Sequence, residues 1–402
     1  MTRANKLLVG QSGGPTAVIN ASLAGILREC YRHGEIGAVL AMQRGVDGLL
    51  ARQFLDLSSQ SELNLRRLAA TPSSALGACR RKLDESELSA ALNILEELGI
   101  RYLLYIGGND SADTSHRLAT AAARAGFPLT VVGVPKTVDN DLVAMDHTPG
   151  YPSIARYVAM AAQDAGMDAE ATASVDQVCI LEVMGRNSGW VAAAAAVAKR
   201  RPNQAPHLIY VPERPFSGDT FLADVEEAYK RFGFAVVVVT ETVRDPTGRF
   251  WAQAPEADAF GHPRLVGAAD RLCQLVRQHI GIRARFDKPG SLQRSSSLCA
   301  SPVDRAEAEA AGEAAVQAAI AGHTDQMVTI QRLADRPYRS FTALAPLADI
   351  ANAERHMPDE YLNAAGNFVT SAFLRYVRPL IGVRLPVYAR LRAEPSLWIC
   401  PR

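Results

Sequence analysis

Seven short, mostly apolar runs constrain this chain more than any other feature. They span residues 7–9, 38–42, 102–106, 129–134, 178–183, 208–211 and 234–239, and are rich in Val, Ile and Leu. Runs of this length without polar alternation suit strands covered on both faces. Helical stretches at 87–98 and 111–125 lie between them. Strand alternating with helix implies an α/β chain with a parallel, doubly wound sheet. Ligands of such sheets bind at the carboxyl ends of the strands. Five strand ends carry glycine, hydroxyl or charged residues: Gly10-Gln11-Ser12-Gly13-Gly14-Pro15, Gly107-Gly108-Asn109-Asp110-Ser111, Pro135 to Asp141, Met184 to Gly189, and Thr240-Glu241. A site is therefore expected there.

The 402 residues suggest two to three domains and enough core to fold without disulfides or a structural metal. Forty-three Lys and Arg against 42 Asp and Glu leave a net charge of +1, which argues against a dedicated nucleic-acid binder. Apolar runs such as 191–198 and 235–239 fall far short of the roughly 20 residues of a membrane span. Residues 1–6 lead straight into the first apolar run, so no signal peptide is expected. Cysteines 30, 79, 179, 273, 299 and 400 form no CxxC pair, so buried thiols in a reducing, cytoplasmic setting are expected. Residues 245–263, with Pro246, Gly248, Pro255, Gly261 and Pro263, read as an irregular insertion.

Two glycine-rich turns open helices, at Gly10 to Gly14 and at Gly107-Gly108. Such turns either close a tight strand-to-helix corner or bring bare amides against a phosphate. Neither is a Walker A loop and neither matches GxGxxG. Thr137-Val138-Asp139-Asn140-Asp141 is sharper. Two carboxylates at i and i+2 just past an apolar strand form either a solvated Asx turn or a site. In a site, one carboxylate can accept a proton from an attacking hydroxyl while the other holds a hard cation. Lys136 places positive charge beside them, suited to a phosphate. Arg80, Arg186, Arg285 and Arg294 stand near other motifs and offer the bidentate fork that phosphate favours, although a lone arginine is most often a surface residue.

Together these residues resemble the phosphofructokinase family. The segments GQSGGPTAVINA, LGACR, IGGNDS, VPKTVDND, LEVMGRNSGW, VVVVTE and GSLQR…SPVDR occur in the family order over roughly the first 305 residues. The resemblance implies two Rossmann-like, doubly wound domains with the active site in the cleft between them. One would bind the phosphoryl donor (about 1–150, with a return segment at about 293–345). The other would bind fructose 6-phosphate (about 151–292, with the C-terminal segment at about 346–402). It further implies a glycolytic or gluconeogenic, magnesium-dependent transfer of a phosphoryl group to the 1-hydroxyl of fructose 6-phosphate, by a homodimer or homotetramer.

Carried over residue by residue, Asp139 matches the general base and Thr137 the threonine beside the transferring phosphate. Gly13, Gly108, Asp110, Lys136 and Arg80 fall at donor positions. Met184, Gly185, Arg186, Glu241, Arg285 and Arg294 match sugar-phosphate positions, Arg285 reaching a neighbouring subunit's site. Asn109 and Asp141 are the metal candidates, with Asn109 standing where most members carry an Asp. ATP-using members usually have glycine at Asp110 and a small residue at Lys136, whereas pyrophosphate-using members carry Asp and Lys. A carboxylate at Asp110 opposes a nucleotide's α-phosphate, and an ammonium at Lys136 replaces the lost charge compensation. Pyrophosphate is the expected donor. An ATP-dependent enzyme and a non-catalytic sugar-phosphate-binding subunit are the rivals. Gln177, Ser291, Ser295-Ser296 and Ala24 depart from the family pattern. Beyond about residue 345 little matches, apart from a turn expected at Ala365-Gly366-Asn367.

Overall fold

The structure is a computed structural model that describes residues 5–257, 263–265 and 267–391. All seven apolar runs form strands. They are β1 (Asn5–Gln11), β2 (Ile36–Met42), β4 (Ile100–Gly107), β5 (Thr130–Pro135), β6 (Val178–Val183), β7 (Leu208–Tyr210) and β8 (Ala235–Thr240). Six further strands had no apolar run to announce them: β3 (Phe54–Asp56), β9 (Gln253–Ala257), β10 (Pro263–Leu265), β11 (Ala284–Asp287), β12 (Gln326–Asp335) and β13 (Tyr338–Pro346). The two expected helices extend over Glu85–Glu97 and Asn109–Arg124.

A seven-stranded sheet has the order β13-β12-β5-β4-β1-β2-β3, and a four-stranded sheet the order β11-β6-β8-β7. The smaller sheet is wholly parallel. The larger one is parallel through β12, β5, β4, β1 and β2, as expected, and adds β3 and β13 antiparallel to their neighbours at its two edges. The hairpin of β12 and β13 lacks an apolar run because it is exposed. Strand β12 pairs with β5 only at Gln326 and Met327, then continues with β13 as a hairpin beyond the sheet. Its outer residues alternate between half-buried and exposed, so they carry no continuous apolar signal. The 245–263 segment is corrected, since β9 and β10 in and beside it form an antiparallel pair.

Apolar clusters cover both faces of each sheet. Leu7, Val9, Ile26, Val132 and Val316 lie on one face of the larger sheet, and Leu8, Leu103 and Val131 on the other. The C-terminal helix Ser371–Leu380 contributes Phe373, Val377 and Leu380 to the same cluster as Val183, Trp190 and Val238 of the smaller sheet's region. The turn expected near residue 366 is present, with Gly366 donating to the Asn363 carbonyl at 3.0 Å. Cys30, Cys79, Cys179, Cys273 and Cys299 are buried and unpaired, while Cys400 lies outside the described residues. Among the described residues no helix is long and apolar enough to cross a membrane.

Candidate active site

Sheet order explains why distant motifs meet. Strands β1, β4 and β5 are neighbours, so the turn after Gln11, the Gly107-Gly108 turn and the loop at Lys136 emerge side by side. Two backbone bonds lock them: Ser12 N–H to the Ile106 carbonyl at 2.9 Å, and Lys136 N–H to the Gly107 carbonyl at 3.0 Å. Strands β6 and β8 are likewise adjacent, pairing Val183 with Thr240, so Met184 and Glu241 follow from neighbouring strand ends.

At the first turn Gly13 adopts φ +73°, a conformation that disfavours any residue with a Cβ. A Cβ there would also lie 3.0 Å from Lys136 Nζ, which places the ammonium against the turn. Lys136 is only 4% exposed and donates to the Gly14 carbonyl at 3.0 Å. Burial pushes its pKa down to about 8, against the upward pull of Asp139 and Asp141 and with the downward push of Arg186 and Arg80. A Cβ on Gly14 would stand 2.9 Å from Arg294 Nη1 and 3.5 Å from Arg80 Nη2, so two guanidiniums crowd the same turn. Burial and the neighbouring Arg80 lower the Arg294 pKa, and its buried Nε has no partner. Gly13, Gly14, Ser73, Ser74, Arg80 and Arg294 line a cleft of about 360 Å³.

Gly108 caps the helix Asn109–Arg124 without a side-chain bond, its carbonyl accepting from the Ser111 and Ala112 amides, and a Cβ there would lie 3.4 Å from the Lys136 carbonyl oxygen. Asp110, one residue into that helix, is exposed and ion-paired with Lys82 at 3.1 Å. It stands at the rim while Lys136 lies inside.

The carboxylate loop is held from several directions. Asp139 N–H donates to Thr137 Oγ1 at 3.1 Å, and Ser188 Oγ donates to the Asp139 carbonyl at 2.9 Å. Asn140 sits between the carboxylates at φ +56°, a left-handed conformation that asparagine tolerates better than most residues. Burial raises the Asp139 pKa, with Arg186 and Lys136 opposing and Glu241 adding to the rise. Burial and the charge of Asp139 push Asp141 up to about 7. Asn109 Nδ2 donates to Asp141 Oδ2 at 3.3 Å. The remaining oxygens, Asn109 Oδ1 and Asp141 Oδ1, are buried without a partner. Two orphaned oxygen acceptors on residues hydrogen-bonded to each other fit a hard cation. No group of three or more His, Cys, Asp or Glu suited to a metal occurs among the described residues.

On the second sheet Met184 N–H donates to Gln293 Oε1 at 3.1 Å, and Thr242 Oγ1 donates to the Gly185 carbonyl at 2.5 Å. Burial, reinforced by Glu182, raises the Glu241 pKa, while Lys288 and Arg186 pull it down. Arg186 is exposed, yet its charge bears on Lys136, Asp139, Asp141 and Glu241. Arg285 is not brought into this group. It lies on the edge strand β11, ion-paired with Asp168, with Asp287 nearby.

Sequence reasoning missed the residues that hold the site from behind. Gln11 binds Asn20 at 3.0 Å and accepts from Ser74 Oγ at 2.6 Å and Leu76 N–H at 3.0 Å, fixing the loop that carries Arg80. Both lie in the GQSGGPTAVINA segment, but nothing local says that they face residues 74–76. Asp304 accepts from Gly150 N–H at 2.8 Å and Ser153 N–H at 3.0 Å, capping the helix Tyr151–Ala171. Arg355 N–H donates to the Asp141 carbonyl at 2.8 Å.

Comparison with known proteins accords with this geometry. Residues 6–319 match the family described as phosphofructokinase. A pyrophosphate–fructose 6-phosphate 1-phosphotransferase of Rhodospirillum rubrum is 43% identical over 395 residues, covering 96% of this chain and 96% of the relative. The crystal structure of a pyrophosphate-dependent phosphofructokinase from Nitrosospira multiformis superposes with a TM-score of 0.87 at 34% identity, covering 96% of this chain and 94% of that one. An ATP-dependent 6-phosphofructokinase of Mycobacterium bovis is more distant, at 29% identity over 89% of this chain and 97% of its own length.

Proposed function

The chain belongs to the phosphofructokinase family, and from that premise we propose that it transfers a phosphoryl group reversibly between pyrophosphate and the 1-hydroxyl of D-fructose 6-phosphate. The products in the forward direction are D-fructose 1,6-bisphosphate and phosphate. The observation that carries the donor choice is the buried Lys136 ammonium, bonded to the Gly14 carbonyl and pressed against the Gly13 turn, with Asp110 at the rim. The relatives named for pyrophosphate at near full length support it.

In the proposed reaction Asp139 takes the proton of the C1 hydroxyl as that oxygen attacks phosphorus in line. The bridging P–O bond of pyrophosphate breaks and phosphate leaves. Lys136 and the amides near Gly13 and Gly108 balance charge on the transferring group, where positioning and electrostatics supply most of the catalysis. Thr137 orients that group, and Arg80 contacts the donor. Met184, Gly185, Arg186, Glu241 and Arg294 hold the sugar phosphate. Arg285, remote from its own Asp139, completes the site of a second subunit, so the active form is at least a dimer. Asn109 and Asp141 would hold Mg²⁺, which neutralises phosphate charge when bound. The donor domain comprises about 1–150 and 293–345 and the sugar domain the rest. The five unpaired cysteines among the described residues suit a reducing cytoplasm.

A donor panel on purified protein tests the reading. kcat/KM for pyrophosphate is expected to exceed that for ATP, and a preference for ATP overturns the donor assignment.

A further inference from the structure

The C-terminal helix Ser371–Leu380 lies outside the 6–319 segment that matches the family. Yet its Tyr376 reaches the residue between the two carboxylates. Asn140 is fully buried, and its Nδ2 donates to the Tyr376 hydroxyl at 2.9 Å. That hydroxyl in turn donates to the Asp146 carbonyl at 2.8 Å. The other end of the Asn140 amide accepts from Thr148 N–H at 3.0 Å. One phenol oxygen therefore ties together both ends of the 140–146 turn. The ring is fixed as well: Trp190, which follows the Met184–Gly189 strand end, packs at 5.3 Å between centroids, Tyr361 stacks at 5.6 Å, and the Arg332 guanidinium lies 4.8 Å away.

We propose that Tyr376 is a positioning residue for the transfer step: through Asn140 it fixes the angle at which Asp139 and Asp141 leave the loop. Asn140 carries a left-handed φ of +56°, which asparagine adopts more readily than most residues, and the bonds at both ends of its side chain hold it there. Both polar ends of its side chain are bonded in a site without water access, so loss of the hydroxyl leaves a buried donor unsatisfied. The loop relieves that by turning Asn140, and the two flanking carboxylates turn with it. The Trp190 contact extends the same helix's reach to the sugar side, so one element outside the matched segment registers both halves of the site. The inference rests on the reading of Asp139 as the general base.

The test is Tyr376→Phe, which removes one oxygen and keeps the aromatic packing. kcat is expected to fall roughly 5- to 100-fold, the factor that corresponds to one unsatisfied buried donor, with KM for both substrates little changed. Asn140→Gly reads the same contact from the loop side, because glycine accepts the left-handed backbone without strain. If Tyr376 acts through Asn140, the double variant is no slower than the slower single variant. Tyr361→Phe, on the neighbouring ring, leaves turnover unchanged. Melting curves of each variant give the folded fraction used to normalise kcat. Equal losses from Tyr376→Phe and Tyr361→Phe, or additive losses in the double variant, overturn the proposal. Should Asp139→Asn retain turnover, the base assignment fails separately from this one.

Discussion

The glycine turn at 10–14 and the carboxylate loop at 136–150 sit on neighbouring sides of one cleft but are shaped in opposite ways. The turn owes its conformation to one of its own residues, Gly13, which supplies the positive φ; backbone bonds from Ser12 to Ile106 and from Gly13 to Cys79, and the Gln11 contacts to Ser74 and Leu76, then seat it. The carboxylate loop is imposed from outside. Ser188 holds the Asp139 carbonyl, Arg355 the Asp141 carbonyl, Tyr376 the Asn140 amide, and Asp304 the Gly150 amide where the loop ends. A phosphate cradle needs only amides converging on a point, which five residues can provide. A base and a cation ligand two residues apart need a fixed angle between them, and a short loop cannot supply that alone.

The comparison predicts where damage is greatest. Asp139→Asn, in the imposed loop, keeps shape and removes the base. Turnover is expected to fall ~10²–10⁴-fold, with little change in KM. Steady-state kinetics at saturating pyrophosphate and sugar phosphate decide it, and near-normal kcat would remove Asp139 from the role.

Lys136 joins the two regions, since its backbone lies in the loop and its ammonium bonds the Gly14 carbonyl. Lys136→Met is expected to cost on the order of 30- to 1,000-fold in kcat, more than in KM, because a charge-assisted contact grows as charge develops. The wild-type enzyme tests the same point through pH. The Lys136 pKa is lowered to about 8, so the ammonium is present below that pH and lost as pH rises through it. kcat/KM for pyrophosphate, which reports the free enzyme, should therefore decline above about pH 8. In kcat the limb should lie higher, because bound pyrophosphate favours the charged form. A flat profile to pH 10 contradicts the buried ammonium.

Gly13→Ala tests the turn through its own glycine. Alanine at φ +73° carries roughly 1–2 kcal/mol of strain, and its methyl stands 3.0 Å from Lys136 Nζ. A loss of roughly 5- to 30-fold in kcat/KM for pyrophosphate is expected, with KM for fructose 6-phosphate unmoved. Equal damage to both substrates would mean that the turn also shapes the sugar side.

The same contrast explains what was legible in the sequence. Apolar runs marked seven strands, most of them buried along their length, because burial on both faces leaves a signal with little polar alternation. The hairpin of β12 and β13 escaped because its outer residues are half solvated and alternate. In the site, Gly13, Gly108, Lys136, Asp139 and Asp141 stand out because local chemistry demands those residue types at strand ends. Their supports did not stand out. Tyr376 is 236 residues from Asn140, and an aromatic residue on an amphipathic helix reads as core. Gln11 and Asn20 were in view as part of a motif, but their partners at Ser74, Leu76 and Ala75 depend on how a distant loop folds back.

Asp110→Gly carries the smallest expected loss and sharpens the comparison most, because it separates attraction from exclusion within the donor side. Asp110 occupies the first turn of the helix Asn109–Arg124, exposed and, among the described residues, ion-paired only with the exposed Lys82. Exposed ion pairs contribute about 0–1 kcal/mol, so stability should hardly change. Pyrophosphate ends at its second phosphorus, so a group that acts only at the rim has little to lose when it is removed, and kcat/KM for pyrophosphate should stay near wild type. ATP continues outward from that point through its α-phosphate. The carboxylate opposes it by volume and by like charge, and specificity of this kind is a difference between two affinities rather than a property of either. Glycine at this position should therefore raise kcat/KM for ATP without any new attractive contact. The gain should be larger at low ionic strength, where the removed repulsion was least screened. Measuring both donors at two salt concentrations separates the contributions. An ATP gain independent of salt assigns exclusion to volume alone, and no gain at either salt means that the donor is selected by the buried Lys136 and not at the rim.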